Sequence, residues 1–102
     1  MSEGIEPVVG RAVDAVAVLE TLGEEVADEW TYVTDLARVQ RRRLAEIADR
    51  RRGTSLASDR VTAIDLAIAE VGRIVDPHRA IDWLSTFPDL VALALDEPIG
   101  GA

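Results

Sequence analysis

Apolar residues recur at intervals of three and four along most of this chain, and that rhythm predicts helices. It is clearest over 24–52, EEVADEWTYVTDLARVQRRRLAEIADRRR, a stretch without Pro or Gly. Val26, Trp30, Val33, Ala37, Leu44 and Ile47 fall on one stripe, with Gln40 as its polar member. The charges are sorted along the same stretch. Glu24, Glu25, Asp28 and Glu29 open it; Arg41, Arg42, Arg43, Arg50, Arg51 and Arg52 close it. A helix dipole favours anions at the N-terminus and cations at the C-terminus. The expectation is one long helix, about 43 Å at 1.5 Å per residue, with Trp30 buried on its apolar face.

The rest of the chain is read around that helix. Residues 1–6 are expected to be a loose tail, and Pro7 suits a first helical turn. Residues 7–22 carry Val, Ala and Leu almost all round, leaving a narrow polar stripe of Arg11, Asp14 and Thr21. Gly23 reads as the residue that ends this helix. Yet the apolar rhythm continues through it to Val26 and Trp30, so a single kinked helix over 7–52 stays open. The connection GTSLAS, 53–58, has the length of a tight reversal and predicts that the next helix, 58–75, lies antiparallel to the long one. Ser55 or Ser58 would cap it, and Val61, Ile64, Ile68, Val71 and Val75 would form its face. Gly72 within it suggests close approach of a neighbour. Asp76-Pro77 is a helix start, with Asp as N-cap and Pro at the first position. Thr86, Pro88 and Asp89 read as a second start, so two short helices are expected, the last ending before Pro98 and the tail 98–102. No strand-like alternation is visible. The fold class is all-α: an antiparallel bundle of four to five helices in a single domain, 1–102.

Composition adds two constraints. The core is built of short aliphatics, with Trp30, Tyr32, Trp83 and Phe87 as the four aromatics. Such a core buries modest area at roughly 25 cal/mol per Å², and a chain of 102 residues gains from self-association. The net charge of −8 opposes general affinity for nucleic acid or anionic membranes. The charge is uneven, however: residues 37–60 hold eight Arg against three acids, +5 locally, between two acidic flanks. All eleven basic residues are Arg. With no cysteine, thiolate metal sites and disulfides are excluded, which suits a cytoplasmic location. The N-terminus has no signal-peptide pattern, and Arg11, Asp14 and Glu20 interrupt the apolar stretch 8–22, against a membrane span.

Candidate chemistry is sparse. Glu24, Glu25, Asp28 and Glu29, with Glu46 and Asp49 further on, give EEVAD…EIAD. This resembles the EExxE…ExxD pattern of the all-α nucleotide pyrophosphohydrolases, with Asp28 where that family has Glu. The resemblance implies Mg²⁺ held by carboxylates from two adjacent helices on a nucleotide's phosphates. A continuous helix over 24–52 would instead put Glu25 and Glu46 about 30 Å apart, although all ligands of one Mg²⁺ must reach about 2.1 Å. His78 and Asp82 share a helical face at i, i+4, but two ligands do not make a metal site. A lone histidine and no cysteine leave little for nucleophilic catalysis.

The expected function is therefore a non-catalytic helical interaction or assembly module, acidic and self-associating, with the dimer favoured among symmetric assemblies and a different protein partner left open. No cofactor, metal or catalytic residue is assigned. The partner-binding candidates are Arg41, Arg42, Arg43, Arg50, Arg51 and Arg52 with Glu24, Glu25, Asp28 and Glu29. Two copies of the charge-sorted helix laid antiparallel would bring the acids of one beside the arginines of the other. A small nucleotide- or metal-binding enzyme of the pyrophosphohydrolase type is the first alternative. A regulator touching nucleic acid through the Arg-rich helix end is the second.

Overall fold

The computed structural model describes residues 2–26 and 28–95, and they form an all-α bundle of four helices fastened by a very short sheet. Helix α1 spans Ile5–Glu25, α2 Thr31–Arg50, α3 Ser58–Glu70 and α4 Pro77–Ala94. Single 3-10 turns at Asp28–Trp30 and Val71–Arg73 precede α2 and follow α3. Strand β1, Ser2–Gly4, pairs antiparallel with β2, Ser55–Ala57, in the register Ser2↔Ala57, Glu3↔Leu56 and Gly4↔Ser55.

The long helix over 24–52 does not form, nor does a kinked one over 7–52. The chain turns at Val26, whose extended backbone (φ −99°, ψ 138°) ends α1. Glu24 and Glu25 thus stand at the C-terminal end of α1, where the dipole disfavours them, and only Asp28 and Glu29 precede α2. The physical gain is the fold-back itself. It lays the stripe of α2 (Val33, Ala37, Leu44, Ile47) on that of α1 (Ile5, Val8, Ala12, Val16, Leu19), and all of these side chains are buried. Trp30, at the turn, is 5 % exposed. One straight helix would have left both stripes without a partner.

Gly23 does not end α1 but lies buried within it. A Cβ there would meet Thr34 Oγ1 at 2.2 Å and the Trp30 carbonyl oxygen at 3.0 Å. The missing side chain is what lets the start of α2 come so close. Gly72 has no such role, because a Cβ at that position would find nothing within 4 Å.

The expected loose tail is corrected at residues 2–6. Beyond the strand pairing, Ile5 N–H donates to the Thr54 carbonyl at 2.9 Å and Gly53 N–H donates to Glu6 Oε1 at 3.0 Å. Gly53 takes φ +84°, the left-handed turn that stops α2 and brings the chain back beside β1. Because 55–57 runs as a strand, Ala57 and not a serine precedes α3, and no side chain caps it. Helix α3 packs on α1 and α4 rather than lying along α2, so the expected antiparallel neighbour is also corrected. Ile64 and Val71 of its face are buried, but Val75 is 85 % exposed.

At α4 the Asp76 carboxylate caps the helix by accepting from His78 N–H at 2.9 Å, with Pro77 at the first position, as expected. The expected second start at Thr86–Asp89 is absent: α4 runs on through Pro88. Proline has no N–H, so the Leu84 carbonyl four residues earlier loses its helical donor. Gln40 supplies it. Its Nε2 donates to Leu84 O at 2.8 Å, which explains the one polar member of the α2 stripe. The Thr86 hydroxyl meanwhile donates back to the Asp82 carbonyl at 3.0 Å and caps nothing. The tail 98–102 lies outside the described residues. No helix among the described residues is long and apolar enough to cross a membrane.

Candidate functional site

Three of the arginines singled out from the sequence meet acids elsewhere in the chain, and none of these partners is among the acids singled out with them. Arg41 reaches Glu20 Oε1 on α1 at 3.1 Å, a charge contact without a directed hydrogen bond. Arg43 holds Asp89 on α4 at 2.7 Å, and Arg52 holds Asp49 at 3.0 Å. Arg38, beside them, bridges to Glu20 at 3.4 Å and Glu24 at 3.1 Å; these two partners, Glu20 first, raise its pKa further. Arg50 and Arg51 also have interactions, and Arg42 is exposed. Arg38, Arg41 and Arg43 therefore tie the middle of α2 to α1 and α4, whereas Arg52 pairs locally with Asp49. Half-exposed pairs of this kind contribute at most about 1 kcal/mol each, and they fix which faces meet more than they hold the bundle together.

Glu25 and Glu29 are exposed at the tip of the α1–α2 hairpin, where Asp28 opens the 3-10 turn. Glu46 and Asp49 lie near the other end of α2, with Glu46 about 22 Å along its axis from Thr31. The carboxylates of the pyrophosphohydrolase-like pattern are thus not brought together. Among the described residues no three Asp, Glu or His side chains gather as metal ligands, His78 and Asp82 included.

What the described residues leave open is the outer face of α1. Its inner positions are covered by α2, α3 and the strand clip, yet a shallow groove of about 460 Å³ runs along the other side. Asp14, Ala17, Val18, Thr21, Leu22 and Glu25 line it, all from the one helix. Val18 is 55 % exposed at its centre. The spacing Asp14, Val18, Thr21, Glu25 is the four-three-four step of a helix-packing seam. Ala17, and Gly10 a turn and more upstream, keep that side of the helix flat; nothing lies within 4 Å of Gly10 where a Cβ would stand. Both charged members of the groove are carboxylates, and neither makes an ion pair among the described residues. The sequence signal for this face was the nearly all-round apolar character of 7–22; Asp14 and Thr21 of its narrow polar stripe line the groove beside Val18, whose exposure periodicity alone could not give.

Arg11 marks where this face ends. Its guanidinium donates to Glu3 on β1 and to Asp65 Oδ1 on α3, the latter at 3.1 Å. These bonds, the one to Glu3 first, push the Arg11 pKa up and pull that of Glu3 below the ordinary carboxylate range. One side chain thereby joins strand clip, α1 and α3. The chain matches no known family model, no curated protein and no solved structure.

Proposed function

We propose that this chain is a non-catalytic helical interaction module that docks through the outer face of α1, with a second copy of itself as first partner. The supporting observation is the apolar groove around Val18, a helix-packing seam that no other element among the described residues covers. The ion-pair argument for self-association is replaced. Arg41 and Arg43, expected to meet the acids of a mate, are engaged within the chain by Glu20 and Asp89. Trp30 faces the chain's own core. The affinity must then come from Ala17, Val18 and Leu22 alone. A single helix face makes a small interface, so association is expected in the micromolar range or weaker.

Sedimentation equilibrium across micromolar concentrations tests this. The expected result is a mass rising from 11.1 kDa toward twice that value, and Val18→Glu returning it to 11.1 kDa. Because Val18 is exposed, that substitution leaves the fold's stability nearly unchanged. A mass that stays at 11.1 kDa at every concentration overturns self-association.

A further inference from the structure

A second concavity lies on another part of the molecule, between the end of α3 and the first turns of α4. This open cleft has a volume of about 540 Å³ and is lined by Glu70, Arg73, Ile74, Arg79, Asp82, Trp83 and Thr86. That volume is within the range of small-molecule sites. Its four charges are balanced, two guanidinium groups and two carboxylates, and they sit as Glu70/Arg73 and Arg79/Asp82 at i, i+3. Elsewhere in this chain that spacing closes into ion pairs, at Asp35/Arg38 (3.9 Å) and Asp49/Arg52 (3.0 Å). Here neither pair closes, and none of the four charges meets an opposite one among the described residues. All four line the cleft with their hydrogen-bonding capacity free.

The floor is fixed. Trp83 is buried, stacked on Phe87 with ring centroids 4.3 Å apart, and its indole N–H donates to the Ala67 carbonyl at 2.9 Å. That bond also ties α4 to α3, so the two walls keep their separation. An anion alone would meet two carboxylates, and a cation alone two guanidinium groups. A neutral ligand would engage none of the four charges. A molecule carrying both signs matches the lining.

We propose that this cleft binds a small zwitterion of the α-amino acid class. Its carboxylate lies against Arg73 and Arg79, whose forked donors suit that group. Its ammonium lies against Glu70 and Asp82, and its side chain rests over Ile74 and the edge of Trp83. The inference is independent of the α1 face and stands whether or not the chain self-associates.

The test uses the full chain and follows the Trp83 indole N–H resonance during titration with leucine, phenylalanine and glutamate. Each is paired with its N-acetyl form, which lacks the ammonium, and its carboxamide, which lacks the carboxylate. The expected result is a saturable shift for at least one amino acid below about 10 mM, weakened at least tenfold in both derivatives. Arg73→Gln with Arg79→Gln, and separately Glu70→Gln with Asp82→Asn, each weaken it at least tenfold. All four side chains are exposed, so urea midpoints should stay near the parent value. Equal binding of the N-acetyl form would show simple anion binding and overturn the proposal. So would the absence of any saturable shift.

Discussion

Two glycines in one helix illustrate how little a residue's identity says before its surroundings are known. Gly10 and Gly23 both lie inside α1, where Ala is the better helix former by about 0.5–1 kcal/mol. Gly10 faces open space, so Gly10→Ala is expected to raise stability by about that amount. At Gly23 the new methyl would stand 2.2 Å from Thr34 Oγ1 and 3.0 Å from the Trp30 carbonyl oxygen, which is backbone and cannot rotate aside. Gly23→Ala is expected to lower stability by about 1–3 kcal/mol as overpacking outweighs propensity. Urea denaturation of the two variants measures both, and changes of the same sign would refute the close contact. Gln40 offers a second case. Gln40→Leu removes the donor to the buried Leu84 carbonyl and should cost about 1–3 kcal/mol. In a Pro88→Ala background the restored N–H can serve that carbonyl. There the same change should cost little, giving a coupling of about 1 kcal/mol or more in a double-mutant cycle. Additive effects would break the assigned link between Gln40 and Pro88.

At the scale of elements, the strand clip is the least expected part and the one most open to pH. Glu3 and Glu6 both have pKa values below the ordinary 4.5, Glu3 through Arg11 and Glu6 through the backbone N–H of Gly53. A carboxyl lowered in the fold stabilises it above the unfolded-state value, and that contribution is lost as pH falls through the folded value. The clip should therefore loosen on the acid side only, starting below 4.5. The stability difference between parent and Glu6→Gln should be full near about pH 7 and shrink as pH falls below 4.5. A gap that grows on acidification would reverse the assignment. Most helices were legible because their stripes are regular, and the Asp76-Pro77 start is local chemistry that acts wherever the chain lies. The strands were not legible, since three residues cannot establish an alternation; their pairing is decided by where α2 delivers Ser55–Ala57.

For the whole molecule, charge is arranged so that cations are mostly satisfied within the chain and an acidic excess remains outside, including at the α1 groove. If two copies meet there, Asp14 and Glu25 add like charges to a pair of molecules already at −8 each. Raising salt from about 0.05 M to about 0.5 M should therefore strengthen association by screening that repulsion. This is opposite to what ion pairs between copies would give. Association weakened by salt, measured by sedimentation, would point back to pairs with Arg42 or its neighbours. The candidate face was half legible. That 7–22 carries more apolar surface than one side of a helix can bury follows from its residues, while Val18 being the exposed part does not.

The sequence by itself determined the helical class, the buried stripe from Trp30 through α2 to Ile47 and the start of α4. These depend on residue spacing and capping groups within a few positions of one another. The turn at Val26, the continuity of α4 through Pro88, the strand clip and the partners of the arginines were decided by tertiary structure alone. Helical periodicity records which face is apolar but not where the chain reverses to bury it. The donor that a proline lacks can be supplied by a side chain 44 positions from the orphaned carbonyl, here Gln40 to Leu84. An arginine's partner, likewise, depends on which helices the fold has placed beside it.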